Sequence, residues 1–92
     1  MNTQKKALVI EDEKSLSSII KDKLEKRGFT VSLAVSVEEG IDYLEKSLSN
    51  ENPFLFVWLD HYLMGKKSGL DFLSKMRNEL KLSIPVFVVT NT

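Results

Sequence analysis

Four short strand-like stretches, three of them apolar and one, Thr30 to Ala34, β-leaning, punctuate this chain, and they constrain its fold more than any other feature. Ala7-Leu8-Val9-Ile10, Thr30-Val31-Ser32-Leu33-Ala34, Phe54 to Leu59 and Val86-Phe87-Val88-Val89 are each long enough for a strand and too short to cross a membrane. Unbroken apolar runs of this length belong to strands covered on both faces, so something apolar must lie above and below them. The intervening stretches supply it. Leu16, Ile19, Ile20 and Leu24 recur at helical spacing up to Gly28, a natural helix stop. Ser36-Val37-Glu38-Glu39 reads as a capping box that opens a second helix carrying Val37, Ile41, Leu44 and Leu48 on one face. Leu70, Leu73, Met76 and Leu80 mark a third helix after Gly65 and Gly69. Ser49 to Pro53 is a loop by composition, and Pro85 introduces the last run. The order βαβαβαβ implies an α/β protein with a parallel sheet, right-handed crossovers and helices on both faces.

A chain of 92 residues has room for one domain and one core, so residues 1–92 are expected to form a single unit. Thirteen basic and thirteen acidic side chains cancel, which removes the main sequence argument for nucleic-acid binding. With no cysteine there is neither a disulfide framework nor a thiolate metal site, as expected of a cytoplasmic protein. The run after Met1-Asn2-Thr3-Gln4-Lys5-Lys6 is cut short by Glu11, so no signal peptide or membrane association is expected.

In open parallel sheets ligands bind beyond the carboxyl ends of the strands, so the residues just after each apolar run are the ones to inspect. They are Glu11 and Asp12 after the first, Asp60 after the third and Thr90 after the fourth. Each is commonplace alone: acids at a strand-to-helix turn often complement the helix dipole. Together they are three repelling carboxylates and a hydroxyl in one cleft. Such a set requires a cation, and an all-oxygen site selects Mg²⁺ or a similar hard ion. With a metal in place, Asp60 could attack phosphorus as a nucleophile.

Val9-Ile10-Glu11-Asp12-Glu13 resembles the acidic pocket of receiver domains of two-component response regulators, and Phe56-Val57-Trp58-Leu59-Asp60 resembles their phosphoacceptor strand. Val88-Val89-Thr90 resembles the strand bearing their phosphate-binding hydroxyl. The resemblance covers essentially the whole chain. It implies a flavodoxin-like, doubly wound sheet of strand order 2-1-3-4, with Asp60 phosphorylated and Thr90 hydrogen-bonded to the phosphoryl group. It further implies that Glu11, Asp12, Asp60 and the Tyr62 backbone carbonyl hold Mg²⁺. The donor it implies is a phosphohistidine on a histidine kinase or a histidine phosphotransfer protein. The domain would then catalyse only its own phosphorylation and dephosphorylation and would not be an enzyme in the usual sense.

Three departures from the family pattern stand out. Receiver domains usually have proline four residues after the phosphoacceptor and glycine eight after it, whereas here Met64 takes the first place and Gly69 comes one position late. Asn91 follows Thr90 where the family prefers a very small residue. Relative to the family, the last helix, strand and helix are missing, together with a lysine that pairs with the phosphoryl group. The domain is therefore expected to be C-terminally incomplete, with strand four an exposed edge and helix one partly uncovered. On that ground a homo-oligomer or an element-exchanged dimer is expected.

The remaining candidates read more simply as structure. His61 has no partner histidine and reads as a loop residue; Trp58, Phe54, Phe56, Phe72 and Phe87 read as core; Lys66-Lys67 reads as a solvated loop tip. The competing function is a receiver-like interaction module that takes no phosphate and works through exposed strand four and helix one. A phosphohydrolase is set aside because Tyr62 stands where a second acid would be needed. Flavin or dinucleotide binding is set aside because no Gly-rich loop follows the first strand.

Overall fold

The computed structural model describes residues 5–49, 53–60 and 67–89. Strands β1 (Lys5–Ile10), β2 (Phe29–Ala34), β3 (Phe54–Asp60) and β4 (Val86–Val89) alternate with helices α1 (Lys14–Lys26), α2 (Val37–Ser47) and α3 (Lys67–Ser74). All strand pairs are parallel, in the order β2-β1-β3-β4. The flavodoxin-like order implied by the resemblance is therefore present. It puts β1 and β3, the two strands that end in acids, side by side at the centre.

Ala7, Leu8, Val9 and Ile10 are all completely buried, as a strand with neighbours on both edges and helices on both faces requires. Leu8 and Ile10 face a core built with Leu44 of α2, Phe72 of α3 and Met76, while α1 packs on β1 and β2. One irregularity shifts the β1 and β3 pairing: Lys6 faces Phe54 but Ala7 faces Phe56, so Leu55 has no partner in β1 and is exposed. The extra residue lets Phe54 and Val57 both reach the same core.

Local signals explain where the helices start and stop. Ser36 accepts a hydrogen bond from the Glu39 amide at 3.2 Å, and Glu39 Oε1 accepts one from the Val35 amide at 3.0 Å. The capping box is thus real, with its return bond displaced by one residue. Gly28, at φ 94°, ends α1 in the left-handed region that glycine tolerates best. Gly40 is needed for a different reason. A Cβ there would lie 2.5 Å from Ile10 Cδ1, so its hydrogen lets α2 settle onto β1.

Several expectations about faces and lengths are corrected. The helical spacing predicts a third helix through Leu80, but regular α-helix ends at Ser74 and a wider π-helical turn follows over Lys75–Glu79. Arg77 Nη1 straps the exit by donating to the carbonyls of Leu82 at 3.2 Å and Ile84 at 3.1 Å. Leu70, Ile19 and Leu48 are exposed, and the buried positions nearby are Phe72, Ser17, Ile20 and Leu44. Phe87 reads as core in the sequence but is 55% exposed, and Phe56 and Trp58 are only half-buried. These side chains lie toward the β4 edge, beyond the cover that α1 gives to β1 and β2. Phe29, Phe56 and Phe87 stack edge to face across the sheet, with centroid separations of 5.3 and 5.6 Å.

A candidate acidic phosphoacceptor site

Parallel pairing decides where the acids meet. Ile10 of β1 stands opposite Leu59 of β3, so the next residue on each strand, Glu11 and Asp60, emerge together at the carboxyl edge. Asp60 is the last residue of β3 rather than the first beyond it. Its backbone is held by the ladder to β4, opposite Val89. Glu11 is held equally firmly on the other side. Its amide donates to the Ala34 carbonyl at 2.9 Å, extending the β1 and β2 ladder by one residue, and its Oε2 accepts from the Glu13 amide at 3.1 Å.

Glu11 is 3% exposed and Asp60 5%, whereas Asp12 is open to solvent. One carboxylate oxygen from each lies within 4.8 Å of the others. Burial pushes the Glu11 carboxyl above its ordinary range, and the Glu13 amide pulls it back. The charges of Asp60 and Asp12, and a hydrogen bond with Asp12, push it up further. Two unit charges at such a separation repel by roughly 3 kcal/mol at an effective dielectric of about 20, a repulsion that a cation among the carboxylates would relieve.

A hard divalent cation fits that need. Oxygens in octahedral array at about 2.1 Å from Mg²⁺ lie roughly 3 to 4 Å apart, and the three ligand oxygens here lie within 4.8 Å of one another. The three donors are all carboxylate oxygens, the hard ligands that such an ion prefers. Asp12, at the solvent side, leaves an approach for a further oxygen ligand.

The structure thus brings together three of the residues singled out in the sequence, Glu11, Asp12 and Asp60. Tyr62, Thr90, His61, Met64, Gly65, Lys66 and Asn91 lie outside the described residues; Gly69 is buried in the first turns of α3. Sequence reading missed the two groups that aim Glu11, the Ala34 carbonyl and the Glu13 amide. No side-chain signal announces a backbone partner. The reading of these acids as helix-start residues also has a place here: Glu13 is the N-cap of α1 and its amide donates to Glu11, although α1 has no acid in its first turn and the Glu13 side chain makes no capping hydrogen bond.

A four-stranded parallel sheet in this order, with a buried acid at the end of each central strand, is the framework of a receiver domain. Comparison with known proteins agrees. The chain is 35% identical over 83 residues to the transcriptional regulatory protein DltR of Streptococcus agalactiae, covering 90% of this chain and 34% of that protein. It is 33% identical over 85 residues to the transcriptional regulatory protein CpxR of Escherichia coli, covering 92% of this chain and 33% of that one. The alkaline phosphatase synthesis transcriptional regulatory protein PhoP of Bacillus subtilis is 33% identical over 86 residues, covering 94% of this chain and 33% of the relative. Among solved structures, the non-phosphorylated HemR receiver domain from Leptospira biflexa superimposes with a TM-score of 0.70 at 25% identity, over 95% of this chain and 64% of that one. No protein-family model matches the chain. The chain is a receiver domain of the response-regulator family, the class of domain that carries the signal in two-component systems. It spans about a third of the length of the curated relatives it matches.

Proposed function

We propose that this domain accepts a phosphoryl group on Asp60 from a phosphohistidine of a histidine kinase or phosphotransfer protein. The observation that carries the proposal is the convergence of Glu11, Asp12 and Asp60, with ligand oxygens within 4.8 Å at the ends of the two central strands. Nothing in packing calls for two buried like charges side by side, whereas phosphoryl transfer does. On this reading an Asp60 carboxylate oxygen attacks the phosphorus, an O–P bond forms and the P–N bond to the donor imidazole breaks. The imidazole keeps the bonding pair and takes a proton from solvent. Mg²⁺ held by Glu11, Asp12 and Asp60 would offset charge on the carboxylates and on the transferring phosphoryl oxygens. Glu11, fixed by the Ala34 and Glu13 backbone, keeps the donor set in place through the transfer. The Tyr62 carbonyl is assigned as a further metal ligand and the Thr90 hydroxyl as a donor to the phosphoryl group, both from the family resemblance. The domain acts on itself, turns over no external substrate, and works in the cytoplasm. Among the described residues no helix is long and apolar enough to cross a membrane.

Transfer from a radiolabelled phosphohistidine protein tests this directly. Label should pass to the wild-type chain only with Mg²⁺ present, and not to Asp60→Asn. Label that reaches the Asn variant equally well would sink the assignment.

A second reading rests on β4. Among the described residues it is one of the two edges of the sheet, and Phe87 and Val88 are both exposed there, as Ile19 is on α1. In this reading the domain is an interaction module that takes no phosphate and binds through β4 and α1, and self-association is its simplest outcome. Light scattering on the eluting protein should give a dimer mass at tens of micromolar; a monomer mass there, unchanged on concentration, argues against it.

A further inference from the structure

A groove of about 580 Å³ runs between α2 and the segment formed by α3 and its π-helical turn, on the face of the sheet away from α1. Its floor is apolar: Val37 and Phe72 are buried and Ile41 half-buried. Its walls carry Glu38, Glu39, Asp42, Glu45 and Asp71 against a single cation, Lys75. Two of these acids are already engaged, Glu39 by the Val35 amide and Asp42 by Lys46 at 3.3 Å. Among the described residues Glu38, Glu45 and Asp71 make no ion pair. In a chain whose charges cancel overall, this is a concentrated local excess of negative charge around an apolar cleft.

We propose that the groove docks a basic amphipathic helix of a partner protein, with an aliphatic anchor against Ile41, the accessible part of the floor, and lysines or arginines against Glu38, Glu45 and Asp71. The fit is one of charge and shape together. Two helices wall the cleft, its floor offers the apolar anchor point that helix-in-groove recognition uses, and the carboxylates reward cations on both flanks of the incoming stripe. A small apolar ligand would leave the acids unanswered. A small polycation would leave the floor wet. The floor also lies close to the acidic site: Gly40 packs against both Phe72 and Ile10, and Ile10 precedes Glu11. The groove is distinct from the β4 edge, so the proposal does not depend on either reading of that edge.

A fluorescein-labelled helical peptide of lysine, leucine and one tryptophan, with the apolar residues in one stripe and lysines on both flanks, is the probe. It is titrated with the whole chain by anisotropy while amide shifts map the contact. Binding in the micromolar range is expected, with shift changes clustered on α2 and α3. Affinity should fall about tenfold in a chain carrying Glu45→Lys and Asp71→Lys, because charge complementarity across a contact is reversed. Glu38→Lys with Glu45→Lys serves as a second variant if the first alters the melting temperature, and should weaken binding similarly. Unchanged affinity in a folded charge-reversed chain overturns the proposal, as does no binding up to millimolar peptide. So does equal binding by a scrambled peptide of the same composition, or shift changes centred on β4 or on Glu11. Groove shifts that follow protein concentration without peptide would assign the surface to a second copy and overturn it too.

Discussion

The ends of β1 and β3 and the outer strand β4 are built from the same kinds of residue and are treated in opposite ways. At the centre every residue from Ala7 to Ile10 is buried, and even Glu11 and Asp60 are drawn almost wholly out of water. At the edge Phe87 and Val88, as apolar as anything in β1, face solvent. Burial is therefore a property of neighbours. A strand paired on both sides and covered by helices on both faces places its end residues within narrow limits, and that rigidity lets it hold two like charges together. The edge strand has no such support, so its apolar side chains mark a surface. On the proposed readings, chemistry would belong to the first region and association to the second.

Core truncation should separate the regions most sharply. Ile10→Ala removes a fully buried side chain that touches α2 and is expected to cost about 2–5 kcal/mol in urea unfolding. Phe87→Ser should cost less, about 1 kcal/mol, since Phe87 is half exposed and gives up mainly its edge-to-face contact with Phe56. Comparable costs at the two sites would erase the distinction.

Gly40→Ala probes the same centre from the helix side. The new methyl meets the end of Ile10, a flexible side chain, so the expected cost is about 1–3 kcal/mol, less than truncating Ile10 itself. Unfolding midpoints indistinguishable from wild type would show that α2 and β1 are not tightly apposed.

Glu11→Gln tests the stored repulsion. Because the folded carboxyl is raised above its ordinary value, Glu11 adds stability only at low pH, where it is protonated in both states, and that contribution is lost as pH rises through the folded pKa. In metal-free buffer at neutral pH the Gln variant should therefore be the more stable, with the gap closing as pH falls into the carboxylate range. Adding Mg²⁺ should reverse the order, since a ligand that binds only the folded wild-type site stabilises it alone. A gap independent of both pH and metal would mean that Glu11 is not in a strained acidic cluster. The smallest effect is expected from Phe87→Ser on association, a lower dimer fraction by light scattering at unchanged secondary structure.

What could be read without coordinates follows the same division. The runs at Ala7–Ile10 and Phe54–Leu59 carried both their strand identity and the acids that follow them, and Ser36 with Glu39 announced the start of α2. Strand order came from the family resemblance, because periodicity does not say which parallel strands are neighbours. Helix faces were harder. Leu70, Leu73, Met76 and Leu80 fit a helical stripe, yet Phe72 and Met76, four residues apart, form the buried row and Leu70 points outward. Sequence spacing gives a stripe, while packing on the sheet sets how the helix is rotated. The π-helical turn at Lys75–Glu79 had no sequence mark, and neither did the unpaired Leu55 that shifts β3.

Whether Asp60 is a phosphoacceptor is decided by intact-mass analysis after incubation with acetyl phosphate and Mg²⁺, run beside Asp60→Asn and a metal-free control. The expected result is a gain of one phosphoryl group in the wild-type chain that disappears in both controls. No gain in chain shown to be folded, or a gain that survives Asp60→Asn, would contradict the assignment of Asp60.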